Sequence, residues 1–254
     1  MTAQLALEQV SKHFGGVVAN DHISLEVRKE EIVGLIGPNG SGKTTLFNSI
    51  VGHHRIDSGR VYFEGRDITG LGVSRVARIG VLRTFQQTRT YRDMTCLENM
   101  AVSLPHHELR PLQLSRRLPA GTASRALGVL ESVGLADQRY KLAGELSFGQ
   151  QRLLEIAMGL MNSPKILLLD EPTAGINPSL ITAVVAQLRR VSHELGISLL
   201  VIEHNIGVII DLAERIYCLN HGRILAEGPP SRIREDPTVI EAYLGSGSMK
   251  SRKK

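Results

Sequence analysis

Apolar and polar positions change rhythm along the 254-residue chain, and each change predicts an element. Residues 5–10 are short and β-rich, and 22–27 alternate, with Ile23, Leu25 and Val27 on one side, as a half-buried strand requires. Residues 31–36 form an almost wholly apolar run ending at Gly37-Pro38, the pattern of a strand covered on both faces in a parallel sheet. Helical spacing follows over 43–51, and 61–63 resumes a strand. From about 88 to 165 the spacing is helical, clearest over 122–133 and 149–161, with 104–120 reading as a loop. Strand runs return at 166–170 and 198–203, and 179–195 between them is long enough for a crossover helix. Alternating strands and helices predict an α/β fold, a parallel sheet with helices on both faces, interrupted by a mostly helical insertion. No internal repeat is present, and the only low-complexity stretch is the basic tail 249–254.

Composition narrows the class. At 42% apolar and 22% charged, the chain is neither disordered nor fibrous, and its length suits one large domain with room for a subdomain. No apolar run approaches the roughly 18 residues that span a bilayer, and the N-terminus lacks the basic-then-apolar order of a secretory signal. Two cysteines, Cys96 and Cys218, cannot make a disulfide framework and suit a reducing cytosol. The chain is expected on the cytoplasmic side. Its net charge is +5, and residues 71–125 carry nine arginines and no lysine against Asp93, Glu98 and Glu108. Such a surface serves nucleic acid, anionic headgroups, an acidic partner or plain solubility, and charge alone does not choose.

The motifs do choose. Gly37-Pro38-Asn39-Gly40-Ser41-Gly42-Lys43-Thr44 matches G-x-x-x-x-G-K-[ST] in full, after a buried strand and before a helix, with Thr45 next in line. Glycines let backbone N–H groups curl around phosphate oxygens, and the helix N-terminus adds partial positive charge. Lys43 is expected to reach the β- and γ-phosphates and the Thr44 hydroxyl to ligate Mg²⁺. Leu168-Leu169-Asp170-Glu171 closes a second apolar strand with two carboxylates, where ligands of open α/β sheets sit. Asp170 is expected to hold Mg²⁺, and Glu171 to polarise an attacking water. A guanine-reading N-K-x-D is absent.

Leu146-Ser147-Phe148-Gly149-Gln150 resembles the L-S-G-G-Q signature of the ABC ATPases, and it precedes the Asp170-Glu171 strand as in that family. Gln86 after Thr84-Phe85 is similar to the family's Q-loop, His204 to its switch histidine, Ala174-Gly175-Ile176-Asn177 to its D-loop, and Phe14 to its adenine-stacking aromatic. The resemblance covers nearly the whole chain. It implies a P-loop NTPase: a RecA-like mixed-sheet core with an antiparallel β subdomain, about 1–88 and 166–254, plus an inserted helical subdomain, about 89–165. It also implies an ATPase using ATP and Mg²⁺, in which Glu171 is the base, His204 and Lys43 act on the γ-phosphate, and Gln86 joins Thr44 and Asp170 at the metal. The resemblance further implies a head-to-tail dimer, each ATP held between the glycine loop of one subunit and Ser147, Gly149 and Gln150 of the other. Phe148, Asn177 and Phe14 depart from the usual glycine, aspartate and tyrosine, and none removes the catalytic carboxylate.

Within that superfamily the chain is most similar to the ATPases of branched-chain amino-acid importers. The residues carrying this are Phe14-Gly15-Gly16, Arg83-Thr84-Phe85-Gln86, Met94-Thr95, Glu98-Asn99, Phe148-Gly149-Gln150-Gln151, Ala174 to Pro178 and Ala242-Tyr243-Leu244-Gly245. This resemblance implies membrane permease subunits, a second ATPase subunit (identical or related) and, indirectly, a solute-binding protein. It places the chain at the cytoplasmic face of the membrane, with the arginine-bearing segment 87–97 turned to the permease. ATPases of urea or amide importers and of lipopolysaccharide export are similar enough to remain alternatives. A soluble ABC ATPase on nucleic acid or the ribosome, or a nucleotide-sensing scaffold without catalysis, fits less well: few aromatic rings accompany the arginines as stacking platforms, and no nucleic-acid partner is expected.

Overall fold

The computed structural model describes residues 3–84, 90–104 and 120–244. Two strands, β1 (Ala3–Phe14) and β2 (Val17–Arg28), form a hairpin across Gly15-Gly16, where Gly15 takes φ +57° as a tight turn demands. Both strands outrun their sequence signals, because β1 bulges and its polar end is fastened from outside. There Asp57 accepts from the His13 N–H at 2.6 Å and from Lys12 Nζ at 3.0 Å, which holds its carboxyl down at about 2. A depressed carboxyl stabilises the fold above its unfolded value of about 3.8 and loses that contribution as pH falls toward 2. Asp57→Asn is therefore expected to melt lower than the wild type at pH 7, with the gap narrowing steadily below pH about 4 in thermal scans.

The next elements are β3 (Ile32–Ile36), α1 (Lys43–Ile50), β4 (Ser58–Phe63), β5 (Arg66–Asp67), α2 (Val73–Arg78) and β6 (Val81–Arg83). Three helices follow, α3 (Cys96–Val102), α4 (Ala120–Ser132) and α5 (Phe148–Leu160). The chain closes with β7 (Ile166–Asp170), α6 (Pro178–Leu195), β8 (Ser198–Ile202), α7 (Ile206–Leu212), β9 (Arg215–Asn220), β10 (Arg223–Gly228), α8 (Pro230–Glu235) and α9 (Pro237–Leu244). Strands β2-β1-β4-β5 make an antiparallel sheet, and β10-β9-β3-β8-β7-β6 make a second sheet, parallel except for β10.

The apolar runs explain the layering. In β3, Val33 and Leu35 face a core shared with the antiparallel sheet and with Leu46, Phe47 and Ile50 of α1, while Ile32 and Ile36 face the helices. On that helical side Met100, Leu130 and Leu154 of the insertion share one cluster with Leu167 and Val201 of the sheet. Positions 94–99, quoted above for the family resemblance, act here as fasteners. Thr95 and Glu98 cap α3 reciprocally, and the buried Asn99 amide donates to the carbonyls of Tyr91, Met94 and Thr95. Part of the arginine excess is also structural, because Arg125 ties α4 to Met161 and Ser163. Among the described residues no helix is long and apolar enough to cross a membrane.

Candidate active site

Strands β3, β8, β7 and β6 run parallel, so their C-terminal ends share one edge of the sheet, where open α/β folds place their ligands. At the end of β3 the chain turns through Gly37, Gly40 and Gly42, all at positive φ, before entering α1. No other residue fits at Gly42, where a Cβ would lie 2.2 Å from the Ala19 carbonyl oxygen. Lys43 is 5% exposed, and its ammonium lies within the loop, donating to the Gly37 carbonyl at 2.7 Å and the Pro38 carbonyl at 3.0 Å. Burial pushes its pKa down, while the charges of Glu171 and Asp170 push it back up. Asn39, Gly40 and Thr44 are exposed along the loop, and Thr45 is half-buried.

At the end of β7, Asp170 is fully buried. One carboxylate oxygen accepts from Arg83 at 2.5 Å, and the other, Oδ1, has no hydrogen-bond partner among the described residues. Glu171 follows in the left-handed region at φ +49°, a conformation that costs energy for a non-glycine residue. Its N–H donates to the Ile202 carbonyl, and its carboxylate meets His204 Nε2 at 2.7 Å. His204 itself stands at the end of β8, where Glu203 is occupied by Thr173.

Arg83 is a residue of this site to which the sequence assigned no role, since it counted only among the arginines of 71–125 and in the family-like run 83–86. It lies at the end of β6, only 13% exposed in its side chain, bridging Asn48 of α1 to Asp170 and lying 5.6 Å over the Phe47 ring. The signal was its place at the end of the strand beside β7, which becomes visible only once strand order is known. Arg83→Met leaves Asp170 buried without its direct ion-pair partner. In metal-free protein that is expected to cost about 3 kcal/mol at neutral pH, read from urea unfolding.

The remaining expected residues divide. Phe14 is 45% exposed, edge-on to His54 at 5.3 Å with Lys12 Nζ 5.2 Å above its ring, an open aromatic shelf. Burial and the neighbouring His53 and Lys12 lower the His54 pKa, which favours a neutral imidazole there. Ser147 begins α5 and is engaged in a capping box: its hydroxyl accepts the Gln150 N–H at 3.3 Å, and Gln150 Oε1 accepts the Ser147 N–H at 3.0 Å. Phe148 is half exposed and covers Gly175, and Asn177 caps α6 by accepting the Ser179 N–H at 3.1 Å. Both departures from the family pattern thus have local structural work. Buried Arg152, one turn into α5, donates to the carbonyls of Asp170 and Glu171 and ties that helix to the carboxylate strand. Gln86 and Arg89 lie outside the described residues.

A family model described as "ABC transporter" matches residues 20–174, which takes in the glycine loop, the α5 capping box and the Asp170-Glu171 strand end. This chain belongs to the ABC transporter ATP-binding family. As an ABC cassette it is a P-loop NTPase, and ATP binding with ATP hydrolysis is the activity of that family. A second model, "Branched-chain amino acid ATP-binding cassette transporter", matches residues 223–248. Among curated relatives, the high-affinity branched-chain amino acid transport ATP-binding protein LivG of Salmonella typhimurium is 39% identical over 249 residues, 95% of this chain and 97% of the relative. BraF of Pseudomonas aeruginosa, carrying the same description, is 38% identical over 248 residues, again 95% and 97%. Among solved structures, the ADP conformation of the ABC transporter cassette MJ1267 superposes with a TM-score of 0.87 at 35% identity, covering 96% of this chain and all of that one. The dimeric MJ0796 cassette bound to ADP and Pi matches with a TM-score of 0.72 at 28% identity, covering 89% and 98%.

Proposed function

We propose that this ABC cassette hydrolyses ATP with Mg²⁺ to drive uptake of branched-chain amino acids through membrane permease subunits, working as a head-to-tail pair with itself or a related cassette. The observation that carries the catalytic part is the Glu171–His204 contact at the sheet edge that also holds Lys43. Glu171 takes a proton from the attacking water, His204 orients that carboxylate, and Lys43 with the loop amides holds the phosphates. The residues present fit Mg²⁺. Asp170 keeps a buried oxygen without a donor, Thr44 offers an exposed hydroxyl, and Gln86 completes the expected set. Mg²⁺ needs only one or two protein oxygens beside substrate phosphates, so the absence among the described residues of a cluster of three His, Cys, Asp or Glu does not count against it. When bound, it would offset phosphate charge.

The transported solute is supported by the Liv and Bra relatives and by the C-terminal match. The helical unit, about 89–165, is the part we assign to permease docking, with the protein on the cytoplasmic face of the membrane and a solute-binding protein acting from the far side. The test is transport by the assembled system. Cells lacking this chain are expected to lose uptake of labelled leucine, isoleucine and valine and to regain it on complementation, and the chain should co-purify with permeases from membranes. Unchanged uptake of all three, or loss confined to urea or amides, would overturn the solute assignment. Pull-down with ribosomes instead of membranes would overturn the transporter role.

A further inference from the structure

Tyr243 makes a contact that the catalytic reading leaves unused. It stands on α9, inside the segment matched by the second family model, and its hydroxyl accepts the Gly37 N–H at 2.7 Å across 206 positions of sequence. Gly37 opens the phosphate loop. It is buried at φ +149°, and a Cβ there would come within 2.1 Å of the Leu219 carbonyl oxygen, so the backbone is confined at this point. A buried N–H so confined needs a fixed acceptor, and Tyr243 supplies it. The far end of the loop has its own ties, since Gly222 N–H donates to the Ser41 carbonyl and Asn20 Nδ2 to the Gly42 carbonyl. At the near end Lys43 holds the Gly37 carbonyl, and the Gly37 N–H is held from the C-terminal helix. The two elements also share a cavity of about 520 Å³, with Pro38, Asn39 and Gly40 on one wall and Thr238, Glu241 and Ala242 on the other. Burial raises the Tyr243 phenol to about 12, so it stays protonated and neutral beside the loop.

We propose that Tyr243 is a positioning residue for nucleotide binding: its hydroxyl fixes the Gly37 end of the phosphate loop, and α9 is thereby coupled to occupancy of that loop. This rests on the nucleotide-binding reading above and adds a C-terminal element to it. Tyr243 holds the loop backbone and does not engage Glu171 or His204, so it governs how readily the amides are presented to phosphate, and turnover once ATP is bound is left alone. Coupling is reciprocal, so nucleotide in the loop also steadies α9.

Tyr243→Phe keeps the packed ring and removes only the acceptor. Its affinity for a fluorescent ATP analogue is expected to fall about 5- to 10-fold, the worth of roughly one hydrogen bond, with KM for ATP raised alike and kcat within about twofold. In the wild type, hydrogen exchange of residues 237–244 is expected to slow when a non-hydrolysable ATP analogue binds, and this response should disappear in the variant. A folded variant with affinity within about twofold of wild type, even if its melting temperature drops, would overturn the proposal and leave Tyr243 a packing residue. Should the variant not fold, the wild-type exchange experiment decides alone, and indifference of α9 to nucleotide overturns it. A wild-type chain that binds no ATP analogue at all would instead refute the nucleotide site, a distinguishable result.

Discussion

Replacing Glu171 with Gln is expected to lower ATP turnover by about 10²- to 10⁴-fold while leaving nucleotide affinity nearly unchanged, because a positioned general base contributes about that much and binding does not use it. On the energy scale this is about 3 to 5.5 kcal/mol of transition-state stabilisation. The geometry makes the substitution clean. Gln keeps the length of Glu, still reaches His204 across the 2.7 Å contact, and occupies the same left-handed backbone, so the fold loses little. What it loses is the ability to accept a proton. Phosphate release under single-turnover conditions measures the chemical step, and near-normal release would remove Glu171 from the role of base. With hydrolysis blocked, ATP should accumulate a dimer visible by size-exclusion chromatography. Ser147 should then be protected by the partner's nucleotide, and an ATP-loaded variant that stays monomeric would refute the head-to-tail pair.

The second large effect is on binding. Lys43→Ala is expected to weaken affinity for an ATP analogue by about 10²-fold, from the loss of charge-assisted bonds worth roughly 3 kcal/mol. Lys43 is buried, with its ammonium already aligned by the Gly37 and Pro38 carbonyls, so little entropy remains to be spent when it meets phosphate. Fluorescence titration distinguishes the two variants: Glu171→Gln should bind and stall, whereas Lys43→Ala should fail at the first step. Unaltered affinity in Lys43→Ala would show that the loop amides alone hold the nucleotide.

Much of the candidate site's framework was legible in the sequence because local chemistry demands it. The runs 31–36, 166–170 and 198–203 are apolar except at their ends, where Glu31, Asp170, Ser198 and Glu203 stand, and the structure places β3, β7 and β8 there with all their residues buried. The glycine loop needs positive φ at Gly40 and Gly42, which the sequence advertises directly. The edges of the fold were harder to read. β1 reaches Ala3–Phe14 because Asp57 fastens its polar end from 44 residues away, a tie that no window of sequence contains. Strands β9 and β10 carry mixed patterns, since β10 is an exposed edge, and they escaped notice.

By itself the sequence determined the α/β layering, the glycine-rich turn before α1 and the two carboxylates at the end of an apolar strand, because hydrophobic period and backbone freedom are properties of neighbouring residues. Tertiary structure alone decided that Arg83 neutralises Asp170 across 87 positions, that His204 meets Glu171, and that Tyr243 holds Gly37 across 206. Those contacts join the ends of separate strands and a terminal helix. Charge and hydrogen bonding act through space over a few ångströms, so no spacing along the chain could announce them until the order of the strands had brought those ends together.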